Sequence, residues 1–256
     1  MRKIICIANQ KGGVGKTTTA INLAASLAAA EKKTLLIDCD SQGNATSGMG
    51  IERACVQERN LYHALTDQIP LEDTIMSTKI PTLSIIPSNQ DLIGAEVEFV
   101  SFPNREKKLK NLLEAVDPSY EFLIIDCPPS LGFLTVNSLV AADYVLIPLQ
   151  CEYYALEGLN LLLNTIKLVQ ARLNPSLSMA GILLTMFDTR NRLSHQVADE
   201  VKKYFSSKVF KTVIPRNVRL SESPSHGLPI ILYDINSRGA ISYMELAKEL
   251  LTNGRI

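Results

Sequence analysis

"NQKGGVGKTTT", residues 9–19, follows the short apolar run "KIICIA" (3–8) and leads into the Ala- and Leu-rich stretch "TTAINLAASLAAAEKK" (18–33). Strand, glycine-rich loop and helix in that order are the context a phosphate-binding loop requires. Gly12, Gly13 and Gly15 let the backbone curl with its N–H groups turned inward and let phosphate oxygens approach closely. The helix that follows adds the partial positive charge of its N-terminus. Lys16 is expected to bridge the β- and γ-phosphates, and the Thr17 hydroxyl to ligate Mg²⁺. Two features depart from the common pattern. Gln10 stands where glycine is usual, and Lys11 places a second ammonium five residues ahead of Lys16.

Further along the chain, apolar β-branched runs recur at 34–38, 83–87, 122–126, 144–148 and 180–185. Continuous runs of this kind, rather than alternating ones, suit strands buried on both faces of a parallel sheet. Helical patterns lie between and after them at 18–33, 157–173, 194–205 and 240–251. Strand alternating with helix predicts right-handed crossovers and an α/β fold: a three-layer α/β/α sandwich around a mostly parallel central sheet. Neither a low-complexity linker nor an internal repeat interrupts the chain, which reads as a single domain over residues 1–256. Residues 50–82 and 89–110 are the least regular and are expected to be insertions or short helices at an edge.

Carboxylates end two of the apolar runs. "FLIIDCPPS" puts Asp126 at a strand terminus, where a Walker B aspartate holds Mg²⁺ through water. "TLLIDCDSQGNAT" puts Asp38 and Asp40 at the end of another strand, ahead of a polar loop. A carboxylate at such a strand tip suits the positioning of an attacking water, and the two aspartates are expected to have separate roles.

Composition narrows the remaining choices. The 26 basic and 26 acidic residues cancel, so any nucleic-acid binding must come from a local patch. The five cysteines form no CxxC pair and no zinc spacing, and read as small hydrophobes of a reducing cytosol. The five-residue apolar run near the start is too short for a secretory leader, and no run of 18 apolar residues exists to span a membrane. A cytoplasmic protein is expected.

"KGGVGKTTT" resembles the deviant Walker A motif of the ParA/MinD ATPases. "DCDSQGNAT", "IIDCPPS", "LQCEYYALEGL" (149–159) and "VIPRNVRLSESPSHGLPI" (213–230) resemble its ParA/Soj partitioning branch, over nearly the whole chain. The resemblance implies a slow ATPase, ATP with Mg²⁺ at the site, and an ATP-sandwich homodimer. In that dimer Lys11 would reach the partner's phosphates while Lys16 serves its own. It makes Lys11, Lys16, Asp40 and Asp126 the catalytic set, with Asp40 positioning the water and Asp38 structural. Lys11, Gly12, Gly13, Val14, Gly15, Lys16, Thr17 and Thr18 would hold the phosphates, and Pro215 with Asn217 would flank the adenine.

Residues 190–219 carry eight basic side chains against Asp199 and Glu200 alone. The resemblance assigns Arg190 and Arg219 to nonspecific binding of double-stranded DNA, with Lys202 and Lys203 as weaker candidates. It also implies association with the nucleoid and release on hydrolysis stimulated by a ParB/Spo0J-type centromere-binding protein. A MinD-like membrane-associated division ATPase is the alternative. The C-terminal "MELAKELLTNGRI" lacks the basic, aromatic-studded tail that role needs. An iron–sulfur carrier needs paired cluster cysteines that are not present, and an ATP-dependent ligase needs a second substrate pocket.

Overall fold

In the computed structural model, which describes residues 2–252 and 256, eight strands form one sheet. They are β1 (Lys3–Ile7), β2 (Thr34–Asp38), β3 (Met76–Ser77), β4 (Leu83–Ile86), β5 (Phe122–Asp126), β6 (Tyr144–Gln150), β7 (Ser178–Phe187) and β8 (Val209–Pro215). Their order is β3-β4-β2-β5-β1-β6-β7-β8, and every pair is parallel except β3–β4. The helices are α1 (Lys16–Ala29), α2 (Asn44–Gly48), α3 (Leu61–Leu65), α4 (Leu71–Thr74), α5 (Leu92–Glu98), α6 (Lys108–Glu114), α7 (Phe133–Ala141), α8 (Ala155–Arg172), α9 (Arg192–Phe205), α10 (Val218–Glu222), α11 (Ile230–Tyr233) and α12 (Arg238–Thr252).

The continuous apolar runs become strands because both faces of the sheet are covered. In β2, Leu35 and Ile37 enter one core while Leu36 enters the other; in β5, Leu123 and Ile125 oppose Phe122 and Ile124 in the same way. Helices α1 and α12 cover one face, where alanines at 20, 24, 25 and 28 let α1 lie close on the strands. Helices α3 and α5 to α9 cover the other. β1 lies between β5 and β6, so the strand order reverses at its C-terminal end. In parallel sheets ligands bind in the crevice at that point.

Two strands and one long helix carry weaker sequence patterns. β3 is two residues long, and β8, "VFKTVIP", is an edge strand with mixed exposure. Helix α7 buries seven of its nine residues, so its apolar positions run all round and show no helical period. Residues 50–82 and 89–110 fold into short helices and the antiparallel β3 edge, as the irregular patterning predicts.

The β8 edge has its own polar partner. Glu249, buried on α12, accepts hydrogen bonds from the Lys211 and Thr212 N–H groups at 2.9 Å each and from the Thr212 hydroxyl at 2.8 Å. Unpaired edge amides invite pairing with another chain, and this carboxylate occupies two of them. Glu249→Ala would leave both amides without that acceptor and is expected to destabilise the fold by about 2–4 kcal/mol. Glu249→Gln, which keeps an acceptor, should lose less. Urea unfolding followed by circular dichroism measures both, and equal stability of the alanine variant and the wild type would refute this role.

Candidate active site

The phosphate loop runs from the end of β1 to the first residue of α1, and its shape depends on left-handed backbone at Gly13 (φ 74°) and Gly15 (φ 87°). A side chain at either position would strain the turn. Buried Asn9 anchors the loop: its amide donates to the Pro148 carbonyl at 2.7 Å and its Oδ1 accepts from the Lys11 N–H at 3.0 Å. From the other side, the Thr185 hydroxyl donates to the Val14 carbonyl at 2.8 Å. Gly12 lies beside Pro129 of the loop after β5. Strands β6, β7 and β5 thus all hold the loop that β1 launches.

Lys16 is 6% exposed, and its ammonium donates to the Lys11 carbonyl at 3.0 Å. Burial pushes its pKa down, opposed chiefly by the negative charge of Asp126. Asp126 itself is fully buried, and neither carboxylate oxygen has a hydrogen-bond partner of normal geometry. Burial, and after it the charge of Asp38, raise its pKa well above the carboxylate range; the nearby Thr17 hydroxyl opposes that rise. A buried, unpartnered carboxylate next to a hydroxyl is a suitable donor set for a hard divalent cation. Thr17 and Asp126 fit Mg²⁺, which would supply charge neutralisation to a bound polyphosphate. Among the described residues, no cluster of three or more metal-ligating side chains stands elsewhere.

Asp38 has a different environment. Its Oδ2 accepts from the Thr46 N–H at 2.8 Å and hydroxyl at 2.7 Å, and its Oδ1 from the Asp40 N–H at 3.1 Å. The Thr46 hydroxyl in turn accepts from the Ser88 N–H at 2.9 Å. Asp38 therefore clamps the loop after β2, and burial raises its pKa to about 6. Residues two apart share a face only while a strand continues. Here β2 stops at Asp38, and Asp40 lies in the following loop, where its Oδ1 accepts from the Gln42 N–H at 3.0 Å. Asp40 borders a cleft of about 280 Å³ with Ile93 and Glu96 of α5 and with Pro128–Ser130. The irregular segment near residue 93 thus forms one wall of the site, a placement that its patterning does not reveal.

A second pocket, about 430 Å³, opens between Gly15 and Thr18 of the loop and the ends of β7 and β8. It brings Pro215 and Asn217 to the phosphate loop, together with Met186, Arg216, Pro224 and Tyr243, which sequence reasoning did not select. Asn217 also caps α10, accepting from the Leu220 N–H at 3.3 Å. Met186 adopts φ 49°, a left-handed conformation rare for a side-chain-bearing residue, and such strain gathers at binding sites. Pro224 is held against α2 through a close crossing at Gly50 and Gly227. A Cβ on Gly50 would sit 2.7 Å from the Gly227 carbonyl oxygen, so the chains meet there only as glycines.

Lys11 is half-exposed, and its ammonium has its ion-pair partner outside the phosphate loop. Its ammonium pairs with Glu152, ahead of α8, at 2.5 Å. The basic candidates lie on separate elements. Arg190, in the turn after β7, is held by Asp188 through two 3.0 Å bonds. Arg219, on α10, pairs with Glu222 at 2.9 Å and Asp234 at 3.6 Å. Lys202 and Lys203 occupy the last turn of α9. The Arg216 N–H donates to the Phe187 carbonyl at 3.1 Å, which ties the Arg190 turn to the segment carrying Arg219.

A parallel sheet with a glycine-rich loop at its switch point, a buried lysine and a strand-end aspartate define a phosphate-loop nucleotide hydrolase with a second lysine in its loop. A family model described as an AAA domain matches residues 2–179. The sporulation initiation inhibitor protein Soj of Bacillus subtilis is 60% identical over 254 residues, covering 99% of this chain and all of that one. The chromosome partitioning protein ParA of Myxococcus xanthus is 58% identical over 249 residues, covering 97% of this chain and 88% of that one. A solved structure of cobyrinic acid a,c-diamide synthase from Mycobacterium smegmatis, with bound ATP analogue and magnesium, superposes with a TM-score of 0.86 at 35% identity, covering 98% and 95% of the two chains. The chain belongs to the ParA/Soj family of chromosome-partitioning ATPases.

The two raised carboxylate pKa values set a pH dependence. A carboxylate whose pKa is higher folded than unfolded contributes stability at low pH that is lost as pH rises through the folded value. The nucleotide-free protein should therefore lose stability from about pH 4 upward, through the Asp38 value of about 6 and beyond. Asp126→Asn should be more stable than the wild type at pH 8, because it removes a buried titratable carboxyl that has no hydrogen-bond partner. The same variant should lose the thermal stabilisation that Mg²⁺ with ATP gives the wild type. Thermal melts with and without nucleotide measure both effects, and an asparagine variant less stable than wild type at pH 8 would contradict the assignment.

Proposed function

We propose that this chain acts as a single ATPase domain over residues 1–256 that segregates DNA through cycles of ATP-dependent dimerisation and DNA binding. The observation that carries the reading is the division of labour between two lysines five residues apart. Lys16 is buried and reaches into its own loop, whereas Lys11 is half-exposed and paired with Glu152 outside the loop. A second, half-exposed ammonium suits the phosphates of an opposing copy, where it stabilises transition-state charge as an arginine finger does. It also ties the dimer to the triphosphate, because ADP lacks the charge it faces.

In this reading the loop amides of Gly12 to Thr18 and the Lys16 ammonium cradle the phosphates, and Pro215 and Asn217 border the base. Asp40 orients the attacking water. Thr17 and Asp126 hold Mg²⁺, Asp126 through water. The dimer doubles the number of basic contacts that Arg190, Arg219, Lys202 and Lys203 make with duplex DNA. Affinity for DNA rises steeply with the number of phosphates contacted, so ATP becomes the switch for binding. Hydrolysis, stimulated by a ParB/Spo0J-type partner, releases the protein. The protein then works in the cytoplasm on the nucleoid.

Two other readings have less support. Among the described residues no helix is long and apolar enough to cross a membrane. On α12, Tyr243, Leu246, Ala247 and Leu250 pack into the core rather than facing out as a membrane-binding stripe would. A small-molecule synthase, the activity named for the solved structure at 35% identity, stands against a chromosome partitioning protein that is 58% identical.

Duplex-DNA binding, measured with ATP and with ADP, tests the reading. The wild type should bind more tightly with ATP. Lys11→Gln should bind equally weakly with either nucleotide, and Arg219→Ala should lose at least about tenfold in the ATP state, with a shallower salt dependence. Binding unchanged in both variants would remove the dimer and the basic patch together.

A further inference from the structure

A third large cavity, about 480 Å³, lies outside the nucleotide site at the β8 edge of the sheet. Leu184, Phe187, Val213 and Pro215 form its floor, and Ala198 of α9 and Ile241 of α12 form opposite sides. The exposed walls are mostly apolar, although the cavity is open to solvent. Its remaining lining residues include Lys202, Arg238 and His195, and no carboxylate is among them. The acidic residues of the same helices, Asp199 and Glu200 on α9 and Glu245 and Glu249 on α12, do not line it, and Glu249 is bonded to the β8 amides. The volume lies within the range of small-molecule sites, which are mostly apolar with a few polar groups that fix orientation.

This cavity is separate from the nucleotide pocket but shares a wall with it. On β7, Thr185 and Met186 line the nucleotide pocket, whereas Leu184 and Phe187 line this one; Pro215 borders both. The phosphate loop does not reach the cavity, and the ATPase reading uses only two of its lining residues, Pro215 beside the base and Lys202 at the DNA surface.

The geometry points to a binding site for a small amphipathic anion, with an apolar body against Leu184, Phe187, Val213 and Ile241 and a sulfonate, carboxylate or phosphate head between Lys202 and Arg238. Charge complementarity selects the anion. Two cations with no lining carboxylate disfavour a cationic guest, and a neutral guest would leave the rim unused.

Two fluorescent probes of nearly the same apolar body test the site on the full chain. 8-Anilinonaphthalene-1-sulfonate carries the anion, and N-phenyl-1-naphthylamine lacks it. Both should bind the wild type in the presence of saturating ADP, which fills the nucleotide pocket. Lys202→Gln/Arg238→Gln, an exposed pair, should weaken the sulfonate probe by about tenfold while changing the neutral probe by less than about twofold. Ala198→Phe, which fills the cavity, should abolish binding of both, with circular dichroism reporting that the variant is folded. The proposal is overturned if ADP displaces the probes, if the double variant affects both alike or neither, or if folded Ala198→Phe binds them as the wild type does. Should Ala198→Phe not fold, the two probes on the double variant decide the matter.

Discussion

A carboxylate without a hydrogen-bond partner, fully buried at the end of a central strand, is the constraint on which the rest of this structure depends. An ionised group in that state costs several kcal/mol unless a counter-charge reaches it. Asp126 is positioned by β5, which is paired on both sides by parallel strands and cannot shift without breaking two ladders. Buried Lys16 has the complementary problem: its one hydrogen bond goes to a loop carbonyl, and its favourable charge interaction is with Asp126. Each group would be better satisfied by a metal–phosphate ligand than by the protein around it. Such a site favours a ligand that supplies both groups with partners, which accounts for two buried, incompletely satisfied ionisable groups at the centre of a well-packed fold.

The surroundings keep those two groups from collapsing onto other partners. Asn9 and Thr185 hold the loop open from both sides, and Asp38 fastens the segment that carries Asp40 by bonding Thr46. The Gly50–Gly227 crossing joins that same segment to the loop that carries Pro224 of the base pocket. Phosphate end and base end are thereby connected through one short path of backbone contacts. A change at either end has a rigid route to the other.

Much of this was legible in the residues. Runs buried on both faces announced the six main parallel strands, because two-sided burial erases alternation. The glycines, lysine and threonine of the loop announced a phosphate site, since few other functions need that spacing after a strand. Edge strand β8 was harder to see because only one of its edges is paired, to β7, and its composition is mixed. α7 was hidden by being apolar all round. The pocket beside the phosphate loop shows why parts of a site escape sequence reading: Met186 and Tyr243 come from β7 and α12. The packing of α12 against α1, marked by the Tyr243–Thr19 hydrogen bond at 3.1 Å, brings Tyr243 to the pocket.

Lys11 joins the sequence and the structure most closely. A loop that departs from the common pattern at Gln10 and Lys11 retains every anchor of a working phosphate site, and its additional ammonium pairs with Glu152 outside the loop. The account therefore holds that one chain carries an incomplete catalytic site. Mixing two inactive variants tests this most directly. Lys11→Ala lacks the lysine proposed to serve a partner but keeps Asp40, and Asp40→Ala lacks the carboxylate proposed to orient the water but keeps Lys11. Each alone should hydrolyse no ATP above background, and the mixture should recover activity, because the mixed dimer contains one site with both groups. A mixture as inactive as its components, or a Lys11→Ala protein that hydrolyses ATP like the wild type, would contradict the account.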